Sequence, residues 1–160
     1  MPENLLNRAH WSACDSDSVA AKNALARLSK LGIQADIQEQ DFLDSLHGHQ
    51  PSLLEASKII SKFDLIIANP PYVRTQVLGA KKAQALAQKF NLSGRVDLSY
   101  PFILGIIETL KPGGIAGIIT SNRFLSTKAG QSLRQRLQKD VQVLSVWDLG
   151  DTRVFDAAVL

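Results

Sequence analysis

The amino-acid sequence predicts an α/β protein built on a parallel, doubly wound sheet. Short apolar runs typical of buried strands alternate along the chain with longer segments of helical periodicity, which predicts strand–helix–strand units rather than hairpins. The run Phe63–Ala68 stops at the double proline of Asn69-Pro70-Pro71-Tyr72, where a buried parallel strand would end in a rigid turn. The alternation of elements and the way this strand ends both indicate the fold class.

The first part of the chain predicts a strand, a helix and a second strand. The helical segment has apolar residues at helical spacing, Asp17 or Ser18 in position to cap its start, and Gly32 where a helix C-terminal glycine belongs. The second strand alternates apolar and polar residues, which is the period of a half-buried strand. The predicted elements are a strand at Trp11–Cys14, a helix over Ser16–Leu31, a strand over Ile33–Gln40 and a short apolar helix around Leu53–Ile60.

The second part continues the alternation after the strand at Phe63–Ala68. A long segment, Val73–Val96, carries five basic residues and no acidic one, so we expect it to contact phosphates or to act as a lid. Trp147 falls in an apolar strand pattern and is predicted to be in the core. The further predicted elements are a helix over Leu98–Leu110, a turn at Lys111–Gly114, a buried strand over Ile115–Thr120, a basic amphipathic helix over Thr127–Lys139 and a last strand over Val141–Leu149.

Composition places the chain among ordinary globular proteins. Its 160 residues suffice for one domain, 45% are hydrophobic and 21% are charged. The single cysteine, Cys14, excludes internal disulfides and suits a cytoplasmic protein. No apolar stretch is long enough to span a membrane, and the net charge of +3 weakly favours an acidic partner such as nucleic acid. We read His47-Gly48-His49 as a polar loop and predict no metal site.

The tetrapeptide Asn69-Pro70-Pro71-Tyr72 is the strongest candidate for a functional site. Pro70 has a fixed φ, and Pro71 favours extended geometry at Pro70. A polar amide and an aromatic ring are therefore held stiffly at the carboxyl end of a strand, which is where open α/β sheets bind their ligands.

This ordered set of motifs resembles the amino-type DNA methyltransferases, specifically the adenine-N6 enzymes of restriction–modification systems. The resemblance runs from about Trp11 to Leu160 and implies a Rossmann-like fold, S-adenosylmethionine as cofactor and double-stranded DNA as partner. Besides the tetrapeptide it rests on the helix beginning Asp97-Leu98-Ser99-Tyr100, the Lys111–Gly114 turn, the segment Ile118–Phe124 that includes Asn122, and Asp148–Asp151 with Val154-Phe155.

The resemblance implies roles for the tetrapeptide. The Asn69 side-chain oxygen and the Pro70 carbonyl would accept hydrogen bonds from the exocyclic amine of the target adenine, which frees the lone pair of a poor nucleophile. The target base must leave the duplex to be reached. Tyr72 would stack on one face of the flipped base and Phe155 on the other, with Asn122 also in contact with the substrate.

The resemblance also implies a cofactor site at the ends of the first two predicted strands. Asp15 would accept from the ribose hydroxyls of S-adenosylmethionine, although a helix-capping role is the alternative. Asp41 would accept from the amine of the cofactor's adenine, with Phe42 beside the ring, although Asp is also a common loop residue. Asn69 would lie close to the cofactor as well.

Two features depart from the family pattern. The first glycine is Gly32, so the glycine-rich cofactor loop and its strand have no counterpart before Asp15, and we expect a gap between the strands at Trp11 and Leu65. The chain also stops at Leu160, before the family's final antiparallel strand and target-recognition domain. We therefore expect residues 1–160 to be a partial methyltransferase catalytic domain that binds the cofactor weakly by itself, with restriction or specificity domains outside it.

Two other functions remain open at this point. The same turn can activate any planar amide or amine, so a protein glutamine-amide methyltransferase is the alternative among enzymes. A non-catalytic remnant or binding module is the alternative of another class, and the missing glycine loop favours it.

Overall fold

The structure of the chain, a computed structural model, describes residues 9–46, 63–73, 75–93 and 96–150. Three predicted features lie outside the described residues: the helix around Leu53–Ile60, the loop His47–His49 and the substrate contact of Phe155. The chain forms two compact units, Met1–Ile59 and Ile60–Leu160.

The first unit has the predicted strand–helix–strand order. Its two strands are parallel, in a register that runs from Trp11 opposite Ala35 to Asp15 opposite Glu39, and this confirms the parallel pairing expected from the sequence. The elements are β1 (Trp11–Asp15), α1 (Ser18–Lys30), β2 (Ala35–Glu39) and a single turn of helix, α2 (Phe42–Ser45).

Both ends of α1 have the predicted signals. The Asp17 carboxylate accepts hydrogen bonds from the backbone N–H groups of Val19 and Ala20, at 2.8 and 3.2 Å, which satisfies two donors that the helix itself cannot pair. Gly32 follows the helix with a φ of +73°, a left-handed conformation that costs glycine little. The chain therefore turns back into β2 where the sequence predicts.

The second unit carries the remaining elements around a second parallel strand pair. Three of its described α-helices have 10 or 11 residues, and the helix at Arg123–Ser126 is a single turn. The elements are β3 (Phe63–Ala68), a 3₁₀ turn (Thr75–Leu78), α3 (Ala80–Lys89), α4 (Ser99–Thr109), β4 (Leu110–Ile118), α5 (Arg123–Ser126) and α6 (Gln131–Asp140). The predicted basic helix thus starts at Gln131 rather than Thr127, because residues 127–130 form a separate turn before it.

The predicted turn at Lys111–Gly114 is not a break between elements but a bulge inside β4. Phe63 pairs with Leu110 and Leu65 pairs with Ile115, so several extra residues of β4 oppose a single residue of β3. Gly113 has a φ of +80°, and a Cβ on Gly114 would lie 2.9 Å from the Phe63 carbonyl oxygen. The two glycines allow the strand to resume in register beyond the bulge.

The core of the second unit is centred on α4. The sequence predicts one apolar face on this helix, but Tyr100, Ile103, Leu104 and Ile106 are all almost fully buried, so the helix is enclosed on most sides. Leu86 and Phe90 from the end of α3, and Leu133 from α6, are also fully buried in this unit.

Two expectations about burial are wrong. The sequence predicts a buried strand at Ile115–Thr120, but one face of the β3–β4 pair is open, and Ile115 is 54% exposed on it. It also predicts a strand over residues 141–149 with Trp147 in the core, whereas this segment has no strand partner among the described residues and Trp147 is 83% exposed. Apolar alternation gives a segment the pattern of a strand, but it becomes one only where a neighbouring strand pairs with it.

Each unit holds its own two-stranded parallel sheet, β1 with β2 and β3 with β4. Among the described residues no helix is both long and apolar enough to cross a membrane.

Candidate active site

The Asn69–Tyr72 turn lies at the carboxyl edge of β3 and is anchored on both sides. Before it, the Ala68 carbonyl accepts a hydrogen bond from the Ile119 N–H at 3.0 Å, which continues the pairing of β3 with β4. After it, the Val73 carbonyl accepts from the Leu98 N–H at 2.7 Å. Pro70 is buried, while Asn69 and Pro71 are exposed. The rigid turn predicted from the double proline is therefore held by the sheet edge and by the segment that leads into α4.

The Tyr72 hydroxyl has two acceptors within reach. It donates to the Oδ1 atom of Asn69 and lies 3.0 Å from the carbonyl oxygen of Ile119. The ring itself is half-buried. The structure thus brings Asn69 and Tyr72, both predicted from the sequence, into direct contact, and adds a backbone carbonyl that the sequence did not reveal.

The environment of Tyr72 keeps its phenol protonated. Partial burial, and to a lesser extent the negative charge of Asp97, raise the pKa of Tyr72 above its ordinary value near 10. At neutral pH the hydroxyl is therefore a hydrogen-bond donor, as its contacts with two acceptor oxygens require.

Asp97 is a site residue that the sequence indicated only as part of a helix motif. Its Oδ1 atom accepts hydrogen bonds from the backbone N–H and from the hydroxyl of Ser99, at 2.9 and 2.8 Å, at the start of α4. The neighbouring Val96 carbonyl accepts from the N–H and the hydroxyl of Thr75, both at 3.1 Å. These bonds fix Asp97 beside the tetrapeptide turn. A carboxylate two residues before a serine at the start of a helix is the sequence pattern that could have predicted these hydrogen bonds of Asp97.

The segment between β4 and α5 carries Asn122, the third predicted substrate contact. Asn122 lies three residues beyond Ile119, is exposed, and makes no side-chain cap to α5. The hydroxyl of Thr120 is a buried polar group for which the described residues offer no hydrogen-bond partner. The Asn122 backbone carbonyl accepts from Leu125 at 2.9 Å, so the residue is held by its main chain while its side chain remains exposed.

The turn that follows is secured by α6. The Arg134 guanidinium donates to the Phe124 carbonyl and to the Thr127 carbonyl, the latter at 3.0 Å. Gly130 approaches α5 so closely that a Cβ there would overlap the Phe124 backbone. The sequence places Arg134 among the cations of a basic helix that would face solvent or DNA phosphates, but this half-buried side chain donates to backbone carbonyls of the preceding turn. Arg136 is paired instead with Asp140 at 2.6 Å.

The predicted cofactor residues lie in the first unit. Asp15 ends β1, and its Oδ1 accepts from the Asp17 N–H at 2.9 Å; Asp41 follows β2 and accepts from the Leu43 N–H at 2.8 Å. Because β1 and β2 are parallel neighbours, both carboxylates lie at the same edge of the sheet. Phe42 is half-buried at the first position of α2.

Cys14 lies within electrostatic reach of both carboxylates. Its thiol donates to the Gln40 carbonyl at 3.1 Å, which links the ends of β1 and β2. Burial, then the charge of Asp41, then that of Asp15, raise the pKa of Cys14 above 9.0. Two negative charges therefore act on one point at the sheet edge, which is an arrangement suited to hydrogen-bond donors such as hydroxyl and amino groups.

In the described part of the chain no cluster of three or more metal-ligating side chains occurs. The described site residues fall into two sets, one in each compact unit. Asn69, Tyr72 and Asn122 belong to the second unit, and Asp15, Asp41 and Phe42 to the first.

The fold belongs to a known structural class. The chain superposes on a structure described as a class I S-adenosylmethionine-dependent methyltransferase from Listeria monocytogenes with a TM-score of 0.57, over 81% of this chain and 36% of that one, at 18% identity. At that identity the likeness concerns the fold alone, and it confirms the Rossmann-like methyltransferase fold predicted from the sequence.

The sequence places the chain within that class. Residues 10–155 match the family described as Eco57I restriction-modification methylase, and the chain belongs to this family. The family uses S-adenosylmethionine as its cofactor, which confirms the cofactor predicted from the sequence.

Relatives agree with this assignment. The chain is 48% identical to the Type II methyltransferase M.BanIII of Aneurinibacillus aneurinilyticus over 98% of this chain and 28% of the relative. It is 33% identical to the Type II methyltransferase M.BstVI of Geobacillus stearothermophilus over 61% of this chain and 18% of the relative. The adenine-specific methyltransferase BrxX of Escherichia coli O9:H4 is 24% identical over 84% of this chain and 11% of the relative. The chain thus spans less than a third of the length of these relatives.

Proposed function

We propose that this chain supplies the catalytic turn of a DNA methyltransferase that transfers a methyl group from S-adenosylmethionine to the N6 amine of adenine. The observation that carries the proposal is the Asn69–Tyr72 turn at the carboxyl edge of β3, with the side-chain oxygen of Asn69 accepting a hydrogen bond. The family and the relatives named as Type II methyltransferases support a DNA substrate, and the relative named as adenine-specific supports the base.

Two acceptor oxygens account for the chemistry. The lone pair of the target amine is delocalised into the ring, and bonds from both of its hydrogens to acceptors draw the nitrogen towards tetrahedral geometry. Asn69 Oδ1 and the Pro70 carbonyl are the acceptors in the proposal. Asn69 is exposed, and among the described residues no backbone donor is bonded to the Pro70 carbonyl. Positioning and electrostatics then provide most of the rate, since methyl transfer needs only in-line approach.

The cofactor fits the residues of the first unit. Asp15 and Asp41 are carboxylates at one sheet edge, and their negative charges both act on Cys14. Ribose hydroxyls suit Asp15 and the adenine amine suits Asp41, because each is a donor to a carboxylate. In this proposal Phe42 lies beside the cofactor's adenine. When bound, S-adenosylmethionine supplies the electrophilic methyl group.

The target base is held by aromatic stacking in this proposal. Tyr72 lies in the catalytic turn and covers one face of the flipped adenine, Phe155 covers the other, and Asn122 contacts the substrate. Tyr72→Ala should weaken capture of the base by about 1–3 kcal/mol, the usual worth of a base–aromatic stack. The defect should be smaller on a duplex whose target adenine is mismatched, because less unpairing work is then required. Equal defects on both duplexes would contradict stacking.

The test compares Asn69→Ala with Asn23→Ala, both made in the protein that carries this chain; Asn23 is an exposed asparagine of α1, remote in sequence from the turn. Transfer of labelled methyl from S-adenosylmethionine is measured on three substrates: a duplex with adenine, the same duplex with every adenine amine removed, and a glutamine-containing protein. We expect transfer to the first alone, lowered on the order of a hundredfold by Asn69→Ala and unchanged by Asn23→Ala.

Other outcomes would overturn the proposal in distinguishable ways. Transfer to the duplex without adenine amines would move the target to another base. Transfer to the protein would favour the glutamine-amide alternative. Unchanged cofactor binding by Asn69→Ala is expected, so a matching loss of cofactor affinity would show that Asn69 does not act mainly on the target amine.

A further inference from the structure

The Tyr72 hydroxyl has one proton and two acceptors. It donates to Asn69 Oδ1, and the Ile119 carbonyl oxygen is 3.0 Å away. A phenol donates a single hydrogen bond, so it can serve one of these oxygens fully and the other only in part. Stacking on a base would engage the ring of Tyr72 and leave this choice of acceptor unexplained.

One of the two acceptors is the atom that the target amine needs. In the proposed function Asn69 Oδ1 receives a hydrogen bond from the adenine amine, and in the structure one of the two lone pairs of this oxygen is already engaged by Tyr72. An exposed asparagine amide without a partner would sample several rotamers, and the bond from Tyr72 removes that freedom. Tyr72 thus holds the amide oxygen in a defined direction before any base arrives.

The second acceptor is a fixed point of the fold. The Ile119 N–H donates to the Ala68 carbonyl at 3.0 Å, which ties the peptide chain at Ile119 to the end of β3. Ile119 is also the residue that follows β4, one position beyond the pairing of Ala68 with Ile118. A rotation of the hydroxyl hydrogen alone would transfer the bond from Asn69 to Ile119, since both oxygens are already within range.

We propose that Tyr72 is a positioning residue whose hydroxyl orients Asn69 Oδ1 in the absence of substrate and passes its hydrogen bond to the Ile119 carbonyl when the target amine binds. The inference rests on the proposed function, because it assigns the amine to Asn69. The phenol is protonated at neutral pH and so can donate, and burial, then the charge of Asp97, raise its pKa further above the ordinary value. No covalent bond forms or breaks in this step, and the phenol keeps its proton throughout.

Tyr72→Phe isolates the hydroxyl because it keeps the ring. Tyr100→Phe is the matched control: it is the other tyrosine of the chain, it lies in the same unit, and its hydroxyl is 3.5 Å from the Thr127 hydroxyl rather than near Asn69. Both variants are made in the protein that carries this chain. Methyl transfer to an adenine duplex is then measured as kcat and KM.

We expect Tyr72→Phe to lower kcat by about 2- to 10-fold, the loss of one ordinary hydrogen bond, with KM for the duplex unchanged because stacking remains. Tyr100→Phe should change neither. A raised KM with an unaltered kcat would place the hydroxyl on the DNA and overturn the inference. An unchanged kcat and KM would overturn it too.

Nuclear magnetic resonance tests the mechanism without activity. The side-chain amide of Asn69 should be rigid in the wild type and mobile in Tyr72→Phe. When duplex and demethylated cofactor are added, the chemical shift of the Ile119 carbonyl carbon should change in the wild type but not in Tyr72→Phe. An Asn69 amide equally mobile in both proteins would refute the inference. If Asn69→Ala retains transfer, the proposed function fails; if Asn69→Ala abolishes transfer and Tyr72→Phe changes nothing, only the role of the hydroxyl fails.

Discussion

Replacement of Arg134 by methionine should loosen the segment that carries Asn122, whereas the same change at Arg136 should not. Arg134 donates to the carbonyls of Phe124 and Thr127, whereas Arg136 makes an i,i+4 ion pair with Asp140 within its own helix. Methionine keeps most of the apolar stem and removes every donor. The two substitutions therefore differ in the hydrogen bonds that they delete and little in volume.

The expected losses differ severalfold. Hydrogen bonds from a charged donor contribute about 1.5–3 kcal/mol each when shielded. Arg134 is half-buried, so water compensates in part and we expect about 1.5–3 kcal/mol for the two bonds together. The ion pair of Arg136 should contribute about 0.3–0.5 kcal/mol.

Native-state hydrogen exchange can measure this difference in stability at the amides of the turn that follows α5. The Thr127 amide donates to the Arg123 carbonyl at 3.0 Å, and the Gly130 amide donates to the Thr127 carbonyl at 3.2 Å. Exchange of these amides should accelerate by about 10- to 150-fold in Arg134→Met and by no more than about 2-fold in Arg136→Met. Equal acceleration in the two variants would refute the reasoning and return Arg134 to the outward-facing role predicted from the sequence.

Two further predictions test the cofactor edge and the packing of α5. Asp41→Asn keeps an oxygen to cap α2 but removes a charge that raises the pKa of Cys14, so alkylation of the thiol at a pH of about 8 should become faster. Asp36→Asn is the control and should leave the rate unchanged, because Asp36 is not among the groups that raise that pKa. Equal alkylation rates in the wild type and both variants would contradict the closeness of Asp41 to Cys14. Gly130→Ala should cost about 1–3 kcal/mol of unfolding free energy in denaturant titrations, because the new methyl group overlaps the Phe124 backbone. Gly117→Ala, with nothing within 4 Å of the new Cβ, should change the unfolding free energy by less than about 0.5 kcal/mol. Similar losses at both positions would contradict the close approach of Gly130 to Phe124.

Local signals in the sequence predict the fold wherever neighbouring residues decide the structure. Asp17 caps α1, Gly32 ends it, and the alternation after Ile33 forms β2, because each depends on contacts within a few residues. Helix α3 is not among the predicted elements, although its run of Ala, Lys and Gln has high helix propensity.

The wrong sequence predictions have a common physical cause: the structure of each segment depends on contacts with residues distant in sequence. Residues 141–149 have an apolar strand pattern, but a strand needs a neighbour, and among the described residues none pairs with them. The contact of the Arg134 guanidinium with backbone carbonyls has no signature in the sequence either, because any residue can provide those carbonyls.

The candidate site shows the same division between what is local and what depends on register. Asn69 and Tyr72 are identifiable from four consecutive residues, but the Ile119 carbonyl is 47 positions from Tyr72, and it reaches the turn only because Ala68 pairs with Ile118. That register is restored after the bulge at Lys111–Gly114, where Gly113 adopts positive φ and Gly114 passes close to Phe63. A slip of one residue would turn every following side chain of β4 to the opposite face and withdraw Ile119 from Tyr72. The glycines of this bulge thus help to determine which acceptor Tyr72 finds, although they lie at the other end of the strand.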